Sequence, residues 1–331
     1  MLYKYSKKLL NLEIIPPTQS AIKTYLHITQ SKLTNKMSNN GRPEHLQLTA
    51  AQKREPDVFD AEISCIEQLS PTIKGFTLQL ITQTDNSSFK AGQWVDFFIP
   101  GVDKVGGYSM CSKPSNFEKE GTLDLAVKYS TWAPAQWLHT QAKIGSKVAF
   151  KIGGEFHYPN KLIEATDGYE CEHDVLLIAG GVGINPLASI FFHLHEHEVD
   201  KKNLNEHNGR SVHLLYSSRT KEELIFCDKI RNIVASNKND RHTAHRECSF
   251  NATFFATQDT DNGPDFKNKR IDEKDIKEAI KLFSEERSDA DKRQRPLFCY
   301  LCGPPNMIKD MARVLIDLGI PKERVMYEMW W

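Results

Sequence analysis

Alternation of apolar and polar positions governs the first half of the chain. Phe76, Leu78 and Leu80 alternate with Thr77 and Gln79. Leu123, Leu125, Val127 and Tyr129 alternate with Asp124, Ala126 and Lys128, and Val148, Phe150 and Ile152 with Lys147, Ala149 and Lys151. Gly92–Pro100 (GQWVDFFIP) adds a bulky strand, and clusters of Gly, Pro and Ser separate the runs. A period of two broken by frequent turns predicts the short strands of an antiparallel barrel or sandwich. One short helix, Pro134–Ala142, interrupts it.

After Asp174 the pattern changes to strands alternating with helices. Strands are expected at Val175–Ala179, Val212–Ser217, Thr253–Thr257, Leu297–Leu301 and Val325–Glu328, and helices at Pro186–Glu198, Lys221–Val234, Asp272–Phe283 and Pro305–Leu318. The last helix is the best specified, with Met307, Ile308, Met311, Leu315 and Leu318 on one face and Gly319 as its stop. Such alternation predicts a parallel, doubly wound sheet whose ligands bind beyond the carboxyl ends of its strands.

The central stretch is Val175–Phe192 (VLLIAGGVGINPLASIFF), eighteen positions without a charge. Glycines 180, 181 and 183 break it, so it reads as strand, turn and helix rather than as a membrane span. Asn185 and Pro186 are expected as N-cap and first helical residue, with Leu187, Ile190, Phe191 and Leu194 as the apolar stripe that follows. A glycine turn running into a helix N-terminus is an anion cradle: the backbone can approach a pyrophosphate, and unpaired N–H groups face it. Gly183→Val is accordingly expected to block the pyrophosphate while leaving the fold largely intact.

Composition narrows the function. Lys+Arg and Asp+Glu are both 43, and with a formal net charge of zero no global field favours nucleic acid or an anionic membrane. Seven scattered cysteines suit a reducing compartment, and Cys299-x-x-Cys302 lacks the second pair a zinc site would need. His193, His195 and His197 read as a solvated helix flank, so no metal is expected. Residues 1–52 form a separate segment, with Lys4, Lys7, Lys8, Lys23, Lys32 and Lys36 against the single acid Glu13 up to Asn40. This basic, hydroxyl-rich start is expected to be a mitochondrial transit peptide, the alternative being a disordered tail on a cytoplasmic protein.

The sequences LLIAGGVGINPLASI, LLYSSRTKEELIF and YLCGPPNMI, in that order and behind a small barrel, resemble the ferredoxin–NADP reductase superfamily over about Asp57 to Trp331. Within it the chain is most similar to the oxidoreductase NAD-binding domain-containing group. The resemblance implies a flavin-type antiparallel β-barrel over residues 55–165, followed by an NAD(P)-binding α/β domain over 172–331. It also implies a flavoprotein that takes hydride from NAD(P)H onto FAD and passes electrons on. By that likeness Tyr108 packs on the flavin and Ser109 bonds near its reactive nitrogen. The segment Gly180, Gly181, Val182, Gly183, Ile184, Asn185 and Pro186 cradles the dinucleotide. Ser218 and Arg219 meet the ribose 2′-position, where Arg219 would favour NADPH, although NADH stays open. Cys302, Gly303 and Pro304 lie by the nicotinamide; Glu328 helps orient it, Trp330 stacks on the flavin and Trp331 reaches the adenine side. The catalytic set is Ser109, Cys302, Glu328 and Trp330.

Two positions depart from the likeness. Gly106 stands where the family has the arginine that holds the flavin phosphate, and Trp132-Ala133-Pro134-Ala135 stands where it has Gly-x-x-Ser. Lys104 or Lys113 would have to supply the charge from a neighbouring turn. Two functions therefore stay open. One is an NAD(P)H-dependent flavoprotein oxidoreductase, expected to be a monomer that serves a separate acceptor, because no plant-type iron–sulfur run is present. The other is a non-catalytic NAD(P)H sensor or scaffold that has lost tight flavin binding.

Overall fold

A computed structural model of the chain describes residues 44–82, 88–165, 173–203, 210–239, 249–260, 266–285 and 295–329. Most of the expected transit segment, residues 1–43, and both Trp330 and Trp331 lie outside the described residues. The chain divides at Ala50, and the described part of Met1–Ala50 is the short helix α1 (His45–Leu48).

From Ala51 onward the first sheet contains β1 (Phe59–Ser70), β2 (Ile73–Leu80), β3 (Trp94–Phe98), β4 (Gly106–Ser109), β5 (Thr122–Lys128) and β6 (Lys147–Gly153). The strands are antiparallel in the order β4-β3-β6-β1-β2-β5. A bridge between Met110 and Leu125 brings the two ends of that order together, so the sheet closes as a barrel. The alternating residues Phe76, Leu78, Leu123, Leu125, Phe150 and Ile152 fill its interior with Phe97 and Phe117. Each such side chain, fully buried, contributes roughly 1.5–3 kcal/mol. Helices α2 (Pro114–Glu120), α3 (Ala133–Thr140) and α4 (Lys161–Glu164) lie between or after the strands. Periodicity did not reveal β1, because a register shift between Ile63 and Cys65 interrupts its alternation.

The second sheet contains β7 (Asp174–Gly180), β8 (Ser211–Ser218), β9 (Ser249–Ala256), β10 (Phe266–Lys267), β11 (Leu297–Gly303) and β12 (Val325–Met329). All pairings are parallel, in the order β10-β9-β8-β7-β11-β12, so strand order reverses between β7 and β11. Every residue of β7 is buried, as expected for a central parallel strand. Helices α5 (Ile184–Asn203), α6 (Cys227–Asn239), α7 (Glu273–Glu285) and α8 (Pro305–Asp317) connect the strands. Beyond α8, Gly319 N–H bonds Ile316 C=O and Ile320 N–H bonds Leu315 C=O, the Schellman closure the glycine predicts.

Two elements differ from expectation. The helix expected at Lys221–Val234 is a 3-10 turn (Lys221–Glu223) followed by α6; Phe226 at φ 64° separates them where Leu224 and Ile225 turn into the core. Strand β9 begins at Ser249, ahead of the expected start, because Ser249, Phe250 and Asn251 pair in register with Ser211, Val212 and His213.

Helix α5 ties the two sheets together along one edge. Asn185 Nδ2 donates to Ala126 C=O at 2.7 Å, and Ser189 Oγ donates to Ser112 C=O at 2.6 Å. Glu196 accepts from both Lys113 and Ser115 at 2.6 Å. These residues recur at four- and seven-residue spacing, one stripe of a helix. Nearby, Glu223 accepts from Thr72 at 2.6 Å and from Lys128 at 3.0 Å.

The histidines of α5 are not a solvated flank. All three are half-buried: His193 packs on the Tyr158 ring and His195 on Phe250, because the helix is covered on more than one side. Burial pushes His193 down to about 4, and it does the same to His213 on β8. A histidine kept neutral by the fold protonates first in the unfolded chain, near 6.5, so its contribution is complete above that pH and is lost as pH falls toward 4. Burial works against the charges of Glu196 and Glu223, yet the hydrogen bonds from Lys113 and Ser115, and from Thr72 and Lys128, hold both carboxyls below the ordinary range. Their contribution is present above about 4.5 and lost below it. Thermal unfolding followed by circular dichroism should therefore show a midpoint at least about 3 °C lower at pH 5 than at pH 7.5, with a further drop below pH 4.5. A flat profile between pH 7.5 and 5 would mean that the histidines are solvated.

Candidate dinucleotide-binding site

The strand reversal places the carboxyl ends of β7 and β11 side by side, with Ala179 opposite Cys302 in register. Strand β7 runs through Gly180 into a 3-10 turn, Gly181–Gly183, and directly into α5 at Ile184. The three glycines have different tasks. A Cβ on Gly180 would lie 2.6 Å from Met307 Sδ and 2.7 Å from Pro304 Cδ. A Cβ on Gly183 would overlap the Cys302 carbonyl and lie 2.7 Å from Gly303 N. Gly181 alone faces open space, and its φ of +56° is the left-handed conformation that favours glycine. The expectation for Gly183→Val is therefore corrected: that side chain would collide with the backbone of β11 and disrupt the sheet itself. Gly181 is the glycine beside which a phosphate can approach the backbone.

Asn185 is also reassigned. It is not an N-cap, because the 3-10 turn already enters helical geometry and the extended residue before it is Gly180, at φ −126° and ψ 116°. The Asn185 side chain instead reaches the barrel, and its Oδ1 stays buried without a partner. Val182 packs on the core, Ile184 belongs to it, and Pro186 is buried in the first turn, where its missing N–H costs no helix bond.

On the neighbouring strand end Ser218 is buried and Arg219 is exposed. Their carbonyls accept from Thr257 and Gln258, which pins the ends of β8 and β9 together. Cys302 is fully buried on β11, in register with Glu328 on β12, which is itself buried. Burial, and then the Glu328 charge, push the Cys302 thiol up, so it stays protonated at neutral pH. Cys302, Gly303, Pro304 and Glu328 thus join the glycine turn in one cluster. Among the described residues no group of three His, Cys, Asp or Glu is placed to hold a metal, and no helix is long and apolar enough to cross a membrane.

Tyr108 and Ser109 occupy a second corner, on β4 of the barrel. Ser109 is buried opposite Trp94. The Tyr108 ring meets Phe97 edge-on at 5.7 Å, and its hydroxyl is buried without a partner. Burial raises the Tyr108 phenol, so it stays neutral. Lys113 is engaged by Glu196, while Lys104 sits over the Trp132 ring at 5.8 Å, at the start of α3. Sequence reading missed the barrel contacts of Asn185, Ser189 and Glu196; their helical spacing within an otherwise apolar run was the available signal.

Gly181→Ala places a methyl in the open crevice at a strained φ, and should weaken NADH and NADPH binding at least about tenfold while lowering the unfolding midpoint by only a few degrees. Gly183→Ala should instead cost folding. Nicotinamide fluorescence titration alongside thermal unfolding separates the two, and equal effects would remove the distinction. Arg219→Ala should lower the ratio of NADPH to NADH affinity in the same titration; an unchanged ratio would place the 2′-phosphate contact elsewhere.

Comparison with known proteins agrees with this geometry. A family model described as "Oxidoreductase NAD-binding domain" matches residues 177–313. The chain is 37% identical over 304 residues to "Oxidoreductase NAD-binding domain-containing protein 1" of Danio rerio, covering 89% of this chain and 100% of that protein. It is 25% identical over 256 residues to "Phenol 2-monooxygenase, reductase component DmpP" of Pseudomonas sp. strain CF600, covering 77% of this chain and 60% of the other. Among solved structures, a ferredoxin NADP+ reductase from Neisseria gonorrhoeae with bound FAD and NADP superposes with a TM-score of 0.58 at 20% identity, over 84% of this chain and 100% of that one. The order of sheets, the reversal point and this coverage agree: the chain belongs to the oxidoreductase NAD-binding domain-containing protein 1 family, with the two-domain fold of the ferredoxin–NADP reductases.

Proposed function

We propose that this protein is an NAD(P)H-dependent flavoprotein oxidoreductase that takes reducing equivalents at the β7/β11 reversal and delivers them to a separate acceptor. The observation that carries the reading is the glycine turn. Gly180 and Gly183 lock it against β11, and Gly181 is left open beside Cys302–Glu328. A dinucleotide fits there: its pyrophosphate would lie at Gly181 and the start of α5, and its nicotinamide beside β11, from which it supplies hydride. Cys302 offers a neutral, polarizable wall, and Glu328 holds its orientation from the adjacent strand. Since Cys302 has no exposed surface, an arriving nicotinamide must displace what covers it. The reading gives the stacking parts to Trp330 and Trp331. Kinship with a reductase component supports a separate acceptor.

The flavin half fits less well. Tyr108 and Ser109 stand on β4, but Gly106 carries no charge. The start of α3 has no capping side chain, and Pro134 has no N–H to offer a phosphate. This mismatch favours a second reading, a nucleotide-binding protein without a tightly held flavin. Stopped-flow reduction of added FAD by NADH and NADPH decides between them. The first reading expects protein-dependent bleaching, slowed at least about tenfold in Cys302→Ala and Glu328→Gln with nucleotide affinity changed less than about threefold. Bleaching no faster than that of free FAD would leave the second reading.

A further inference from the structure

The corner of the barrel around Gly106 is filled by the protein's own side chains. A Cβ on Gly106 would lie 2.5 Å from Tyr108 Cε2 and 3.2 Å from Pro134 Cβ. Gly106 and Tyr108 are two apart on β4 and face the same side. The missing Cβ is therefore what allows the ring to lie down along the strand. Phe97 holds it from the side, and the hydroxyl ends buried without a hydrogen bond. An unpaired buried hydroxyl is unfavourable, so ring packing selects this pose.

We propose that Tyr108, lying on Gly106 against Pro134, closes the phosphate side of the flavin subsite, so that this barrel holds a flavin by its ring and draws no affinity from the phosphates of FAD. The inference rests on the reading of the barrel as a flavin module and specifies which part of the flavin it takes. The charges nearby agree with it. Lys113 pairs with Glu196, and Lys104 lies over the Trp132 ring.

Equilibrium dialysis of the full chain against riboflavin, FMN and FAD tests it. Wild type should bind the three within about threefold of one another. In Gly106→Arg the new side chain must lift the Tyr108 ring and bring a guanidinium to the phosphate. That variant should prefer FAD to riboflavin by at least about tenfold, the scale of one charge-assisted hydrogen bond. A tenfold preference for FAD in wild type would overturn the proposal, and its loss in Lys104→Ala would assign the grip to that lysine. No binding of any flavin would overturn it, as would a folded Gly106→Arg protein with no gain for FAD. If the arginine variant does not fold, the wild-type series decides alone. Failure of the oxidoreductase reading shows elsewhere, as absent NADH and NADPH binding or absent flavin reduction, and leaves the ratios across the flavin series standing.

Discussion

Backbone lies directly on backbone where β7 meets β11. Gly183 abuts the Cys302–Gly303 peptide, and a Cβ on Gly303 would come within 3.0 Å of Gly180. With no side chain between them, the turn after β7 is held flush with the strand end. Its N–H groups, the Cys302–Glu328 pair and the open face of Gly181 consequently share one edge. A methyl group at Gly183 would separate these parts, and the site would lose its geometry along with the sheet. Glycine is thus a packing requirement at Gly180 and Gly183, whereas at Gly181 the positive φ and not packing favours it.

That edge is coupled to the barrel by α5. The helix whose first turn forms the cradle also carries Asn185, Ser189 and Glu196 on the stripe facing the barrel. Three of the four groups they hydrogen-bond are backbone carbonyls or a short hydroxyl near β5 and α2, which leaves little freedom for the helix to slide. Under the proposed function such links would keep the reacting groups aligned, where a misplacement of about 1 Å is costly. The contacts join elements remote in sequence, and each polar group is satisfied only when both sheets are in place, apart from the Asn185 Oδ1, which is left without a protein partner.

The barrel corner shows the same economy acting in the opposite direction. The glycine at position 106 leaves no hole, because Tyr108 and Pro134 lie close to where its Cβ would be. A side chain at position 106 would therefore have to displace the Tyr108 ring.

Much of this was legible in the sequence. The period-two runs around Phe76, Leu123 and Phe150 located barrel strands, and the charge-free Val175–Phe192 stretch located the central strand, turn and helix. These signals are local: burial on one face or both writes itself into neighbouring residues. The doubly wound class, the three strand-end motifs and Gly319 as a helix stop were likewise readable, since each rests on short-range geometry. Strand β1 escaped because a bulge disrupts its alternation, and the α5 histidines were misread because their burial comes from residues far along the chain. Which glycine touches β11 and which faces solvent, where the Asn185 amide points, and how the Tyr108 ring lies were decided by the tertiary structure alone. Each depends on the position of atoms from another strand or sheet, and residue type and spacing do not encode that position.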